Sequence, residues 1–185
     1  SLAKSTTALR KAAPSAISAS FPCASAKSRT RSTITAASSS SISDGAAAVV
    51  LTRESVAKAK GLSPVARVVA VAAHAHQPQR FSTTPAAAIT KLLANAGWQI
   101  GDVDLFEINE AFACVAMAAM RDLGLRHDQV NVNGGACAMG HPVGATGARI
   151  ITTLLYALRK RGLRRGVASQ CIGGGEACAV AIELL

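Results

Sequence analysis

Aromatic side chains are nearly missing: four Phe, one Trp and one Tyr among 185 residues. A chain so poor in rings offers no stacking platform for nucleic-acid bases. Long apolar runs are missing too. None reaches the ~18–20 residues that span a bilayer, so a membrane protein is not expected. The five cysteines fall in no CxxC or CxxH pairing and are odd in number, which argues against both a disulfide framework and a zinc module. No GxxxxGK[ST] lysine follows a glycine-rich turn, so a P-loop is not supported. No internal repeat is visible. What remains is a chain that is half hydrophobic and only 16% charged. That composition excludes a wholly disordered protein, and the length suits one domain, at most two small ones.

Acidic residues are absent from the first 43 positions, where Lys4, Arg10, Lys11, Lys27, Arg29 and Arg31 stand unopposed. From Asp44 onward 14 basic residues face 10 acidic ones. The formal charge of +10 therefore belongs largely to the N-terminal quarter, and a nucleic-acid reading of the rest loses its support. Residues 1–43 also hold 13 serines and no sustained hydrophobic period. Three readings of this low-complexity stretch stay open: a disordered tail, a mitochondrial-type transit segment, or a stretch outside the native reading frame.

Past Asp44 the pattern alternates. Ala46–Thr52 is an apolar run of strand length, and 53–60 places Glu54 early and Lys58 and Lys60 late, as a helix dipole favours. Val65–Ala72 is β-branched and apolar. Pro85 opens a helix with Ile89, Leu92, Leu93 and Ala96 on one face, closed by Gly97. Val103–Ile108 reads as a strand, Glu110–Leu123 as a helix ended by Gly124, and Val130–Val132 as a short strand. A glycine-rich loop over 133–147 leads to a helix over 148–161. Val167–Gln170 and Ala177–Leu184 close the chain as strands. The order β-α-β-α-β-α-β-loop-α-β-β predicts an α/β layered domain with a mixed sheet.

In such sheets, sites gather where strands end and helices begin. Three loops sit there. Asn109 follows a strand and by position is a helix N-cap. His141 stands among small residues in a span, 133–147, that holds five glycines. Cys171 ends a strand ahead of Gly173-Gly174-Gly175. Each has a bland explanation: a cap, a satisfied loop histidine, a small buried hydrophobe and a simple turn. Together, an Asn, a His and a Cys on three loops, two of them rich in glycine, have the composition of a thiol-based acyl-transfer site. His74 and His76 form an HxH pair with no carboxylate or thiol nearby in sequence, which reads as solvated loop rather than a metal site.

Four stretches carry a resemblance. They are Ser43–Ala48 (SDGAAA), Gly97–Ala113 (GWQIGDVDLFEINEAFA), Asn131–Arg149 (NVNGGACAMGHPVGATGAR) and Cys171–Glu176 (CIGGGE). From about Ser38 to Leu185 the chain resembles the thiolase family, in its bacterial-type acetyl-CoA acetyltransferase branch. Related ketoacyl synthases carry His where this chain has Asn109 and Cys171, so the resemblance favours thiolase.

The resemblance implies a thiolase-like layered fold, specifically the C-terminal βαβαβαββ half, over 38–185, with 1–37 as a separate low-complexity segment. It implies a reversible Claisen condensation of two acetyl-CoA molecules to acetoacetyl-CoA and CoA. In that scheme His141 activates the acyl-accepting thiol and donates to the thioester oxygen. Asn109 holds a water that supplies the second donor of this oxyanion hole. Cys171 moves the α-proton, its ordinary pKa of about 8.5 lying near working pH. The Gly173 N–H joins a second oxyanion hole. Ser40 contacts the coenzyme A chain and Phe112 lines the pantetheine tunnel. Cys137 and Cys178 are read as small packing residues. Coenzyme A thioesters are substrates, and neither a metal nor a redox cofactor is called for. The bacterial type implies the cytoplasm rather than the mitochondrion, and a homo-oligomer for the whole enzyme.

The same resemblance implies that the nucleophilic cysteine lies in an N-terminal half that nothing here matches, Cys23 included. The expectation is a chain inactive by itself that leaves an apolar face uncovered, the product of a truncated or frame-disrupted gene. The alternative is a non-catalytic protein that binds CoA or pairs with another subunit.

Overall fold

A computed structural model describes residues 34–185. Most of the basic serine-rich segment, with Cys23, lies outside the described residues. The chain then runs α1 (Glu54–Ala59), β1 (Ala66–Ala75), α2 (Thr84–Ala96), β2 (Leu105–Ile108), α3 (Ala113–Leu123), α4 (Ala136–Met139), α5 (Thr146–Arg161), β3 (Arg165–Ile172) and β4 (Glu176–Leu184). The strands form one sheet in the order β1-β4-β3-β2. β2 and β3 are parallel, and the other two pairings are antiparallel, so the sheet is mixed as the alternation predicts.

The helices form where the chain chemistry places them. Pro85 sits in the first turn of α2, where its missing N–H costs nothing. Gly97, Gly124 and Gly162 close α2, α3 and α5 in the left-handed conformation that glycine tolerates without strain. The sheet is covered unequally. Against one face, Ile89, Leu92 and Leu93 of α2 and Val115 and Ala119 of α3 bury Phe106, Ile108, Val167, Ala177, Ala179 and Ala181. Against the other, Ile150, Leu154, Ala157 and Leu158 of α5 bury Leu105, Ala168 and Ile182. Gly166 permits this approach, because a Cβ there would lie 2.9 Å from Leu154. α5 does not extend over β1. Val71, paired across the sheet with Val180, is 62% exposed on the side that α5 leaves open, and Cys178 there is exposed as well. The expectation that Cys178 packs is therefore not met.

Two expected strands are absent. Ala46–Thr52 takes no regular structure, with Val50 and Leu51 at 95% and 75% exposure. Its composition suits a strand, but a strand exists only against a partner, and none lies beside it among the described residues. Val130–Val132 makes a single bridge, Val130 to Phe106. There Asn131 takes φ +49° and turns the chain away. Its side chain replaces the ladder: Oδ1 accepts from the Ile108 N–H at 2.8 Å, and Nδ2 donates to the Ile108 carbonyl at 2.9 Å. The loop over 133–147 also holds the short α4. His74 lies on β1 rather than in a loop, while His76 follows the strand and is exposed.

This layering predicts a sharp contrast in stability. Leu154→Ala, at a fully buried site, should cost about 3 kcal/mol. Val71→Thr keeps β-branching on the open face and should stay within about 0.5 kcal/mol. Urea-denaturation midpoints of the two variants measure the difference.

Candidate active site

The site is built where the two parallel strands end together. The Asn109 N–H donates to the Ser169 carbonyl at 2.9 Å, extending the β2–β3 pairing by one bond. This fixes Asn109 beside the end of β3, two residues short of Cys171. Asn109 is buried and is not a cap; Phe112 holds the cap position of α3. Its amide faces the imidazole of His141, Nδ2 to Nε2, at 3.2 Å.

His141 is gripped on both sides of its ring. Ser40 Oγ lies 3.2 Å from Nδ1, and the same hydroxyl lies 3.0 Å from the Ala111 carbonyl. Thr146 Oγ, 2.9 Å from Nε2, likewise lies 2.9 Å from the Val143 carbonyl, so the two hydroxyls alone do not choose between the ring nitrogens. The Asn109 NH₂, which only donates, places the lone pair on Nε2 and the proton on Nδ1, where Ser40 Oγ accepts it. The backbone holds the same geometry. His141 N–H donates to the Ser41 carbonyl at 2.8 Å, Ser40 N–H to Ala111 at 3.2 Å, and Ile42 bridges to His141. Burial, and after it the Arg149 cation, hold the His141 pKa below the ordinary imidazole value. At neutral pH this ring is an uncharged base with its free electron pair on Nε2.

Glu110 is the anchor that sequence reasoning missed. Its carboxylate accepts from Asn131 Nδ2 at 2.9 Å and from the Cys137 N–H at 3.1 Å, tying the Asn109 loop to the start of α4. Gly135 leaves room for that carboxylate, which any Cβ there would strike. Gly140, at φ +95°, lets the loop pass Ser43 in the same way. The Cys137 thiol is half-buried, and burial together with Glu110 raises its pKa.

Cys171 lies near the end of β3, half-buried and packed against the core. Burial pushes its thiol up to about 11, so it rests protonated rather than near the ordinary value. After it the chain turns through Gly173 to Gly175. The Gly175 carbonyl accepts from the His76 N–H at 2.8 Å and the Thr84 hydroxyl at 3.1 Å, and at φ +101° a Cβ on Gly175 would meet the His76 carbonyl at 2.5 Å. Gly173 is exposed in this turn. Phe112 is half-buried, edge-on to Phe81 with ring centroids 6.0 Å apart. The three loops thus reach one end of the sheet. Ser40, Asn109 and His141 are in direct contact, while Cys171 and Gly173 lie on the strand and turn alongside. Among the described residues no group of three or more His, Cys, Asp or Glu is placed to hold a metal ion. No helix there is long and apolar enough to cross a membrane.

Comparison with known proteins gives this arrangement a family. The thiolase C-terminal domain profile matches residues 62–184. The chain belongs to the thiolase family. It is 51% identical over 150 residues to the acetyl-CoA acetyltransferase of Allochromatium vinosum, covering 81% of this chain and 38% of that protein. To the cytosolic acetyl-CoA acetyltransferase of Mus musculus it is 48% identical over 151 residues, covering 82% and 38%. The Bacillus anthracis acetyl-CoA acetyltransferase superposes with a TM-score of 0.80 at 45% identity, over 82% of this chain and 39% of that one. Human mitochondrial 3-ketoacyl-CoA thiolase in complex with CoA gives 0.81 at 40% identity, over 85% and 40%. The chain therefore spans about two fifths of the length of these thiolases.

One buried group makes this thiolase domain sensitive to pH. Glu107, on β2 just before Asn109, is 1% exposed and its Oε1 has no partner. Burial pushes its carboxyl up to about 7; the Arg149 cation opposes the shift and Glu110 adds to it. A carboxyl that binds its proton more tightly when folded stabilises the fold at low pH. That contribution is lost as pH rises from the ordinary carboxyl range through 7. The loss is on the order of 3 kcal/mol. Glu107→Gln should flatten the decline in urea midpoint between pH 5 and pH 8. A decline of the same size in both proteins would show that Glu107 does not cause it.

Proposed function

We propose that this chain supplies the proton-transfer side of an acetyl-CoA acetyltransferase site, with the acyl-accepting cysteine contributed by polypeptide outside residues 34–185. The observation that carries the proposal is the His141 ring. It is neutral, its Nδ1–H is committed to Ser40, and its Nε2 lone pair faces the Asn109 amide. One nitrogen then serves twice. As a lone pair, Nε2 takes the proton of the attacking thiol and raises its thiolate fraction. As the N–H so formed, it donates to the thioester oxygen, with Asn109 supplying the second donor through a water it holds.

In this reading the thiolate attacks acetyl-CoA and forms an acyl-enzyme, and the departing CoA thiolate takes the Cys171 proton and leaves as the thiol. Cys171, as its thiolate, then removes a proton from the methyl group of a second acetyl-CoA. The enolate carbon attacks the acyl-enzyme carbonyl and expels the enzyme thiolate, giving acetoacetyl-CoA. The burial that lifts the Cys171 pKa makes its thiolate scarcer but a stronger base, which suits a weakly acidic C–H. The Gly173 N–H belongs to the oxyanion hole of that second step. Ser40 and Phe112 border the pantetheine path, Ser40 also holding the base. Substrates and products are acetyl-CoA, acetoacetyl-CoA and CoA. The open face beside β1 and the unpaired run over 46–52 are docking surfaces for the missing half, and the assembled enzyme is a cytoplasmic homo-oligomer.

Thiolysis of acetoacetyl-CoA tests this directly. The purified chain alone should show no turnover. Co-expression with the N-terminal portion of an acetyl-CoA acetyltransferase should restore it. In that complex Asn109→Ala should lower kcat about 10²–10³-fold, and His141→Ala should lower it at least as far. Turnover by the chain alone would overturn the division of the site. A CoA-dependent rise in Tm in a complex that never turns over would instead identify a binding or pairing protein.

A further inference from the structure

The orientation of the Asn109 amide needs a cause. Its oxygen and nitrogen are nearly the same size, so neighbours decide which one faces the imidazole. On the His141 side the imidazole nitrogen accepts in one tautomer and donates in the other, so it does not choose. On the far side Arg149, in the first turn of α5, extends its guanidinium so that one terminal N–H donates to Asn109 Oδ1 at 3.3 Å. A flipped amide would set its NH₂ against a cation, a repulsive contact.

The surroundings of Arg149 make this arrangement unusual. Its Nε and other terminal nitrogen are buried without a hydrogen-bond partner, and no carboxylate lies within salt-bridge distance. A cation taken from water with so few partners is held at a cost in stability. Its one side-chain bond goes to the residue that faces the candidate base.

We propose that Arg149 is a positioning residue, which fixes the amide of Asn109 and through it the Nδ1–H tautomer of His141. The order runs Arg149 to Asn109 Oδ1, Asn109 Nδ2 to His141 Nε2, His141 Nδ1–H to Ser40, and Ser40 to the Ala111 carbonyl. Every donor in it meets an acceptor. The consequence for catalysis rests on the acetyltransferase reading above; the orientation itself does not.

Two measurements test it separately. In the full chain, long-range ¹H–¹⁵N correlation of the His141 imidazole reports the tautomer without any reaction. The native chain should show the Nδ1–H form, and Arg149→Met should give a mixture. In the co-expressed complex, Arg149→Met should lower kcat about tenfold to a hundredfold, less than outright loss of an oxyanion-hole donor, with KM changed by about twofold at most. Arg149→Lys, which keeps a cation and donor, should recover part of that loss. Because Arg149 acts through Asn109, adding Arg149→Met to Asn109→Ala should cost nothing more. An unchanged tautomer with an unchanged kcat would overturn the proposal, and so would losses that multiply in the double variant. Should the complex never turn over, the tautomer of the full chain still decides the point. Should the isolated chain not fold, the kinetic cycle does.

Discussion

The parallel pairing of β2 with β3 is the constraint on which the rest depends. Their hydrogen bonds run from Leu105 opposite Gly166 to Ile108 opposite Ser169, and the Asn109 N–H adds a final one. Because the strands point the same way, Asn109 and Cys171 emerge at the same end of the sheet. An antiparallel pair would have sent them to opposite ends. Parallel neighbours need a long connection, and here that connection carries α3, the Glu110-anchored loop and α5. The chemistry is thus carried by the crossover that the topology requires, with His141 and Arg149 on the returning part of it.

Polar groups within this crossover do what a packed core does elsewhere. The span 133–145 contains little that could bury an apolar face. Its shape comes from Asn131 replacing a strand ladder and from Glu110 accepting from a side chain and a backbone N–H. Glycines at 135 and 140 matter for the space and backbone angle they permit. Such a scaffold fixes direction well, which a site made of lone pairs and N–H groups requires.

Much of this was legible in the residues, for physical reasons that differ by element. α2 announced itself through Pro85, the spacing of its leucines and Gly97, all local features. Asn109, His141 and Cys171 stand out because reactive types sit at element boundaries, the last two beside glycines. The failures share a cause as well. Ala46–Thr52 has strand composition, but pairing is a property of two segments, and only one is present among the described residues. Val130–Val132 looked like a strand because nothing in one-dimensional pattern shows a left-handed Asn131. The resemblance implies a contact of Ser40 with coenzyme A; that its hydroxyl also holds the imidazole, 101 residues away, is not written in local sequence. Nothing in the local pattern sets Glu110 and Arg149 apart, because their partners lie across the fold. The Cys171 thiol was expected near its solution behaviour, and only burial reveals how far it departs.

The span between Ser40 and His141 also bears on the order of folding. Contacts so distant in sequence form only after a large loop has closed, and they repay that entropy late. The segment carrying Ser40 adds little of its own: Ile42 is 90% exposed, and a few hydrogen bonds to the Asn109 and His141 loops hold it in place. Detachment of this strap would free Nδ1 of the imidazole while both hydrophobic layers stay closed. The base is therefore aligned by a piece of chain that packs little of its own surface.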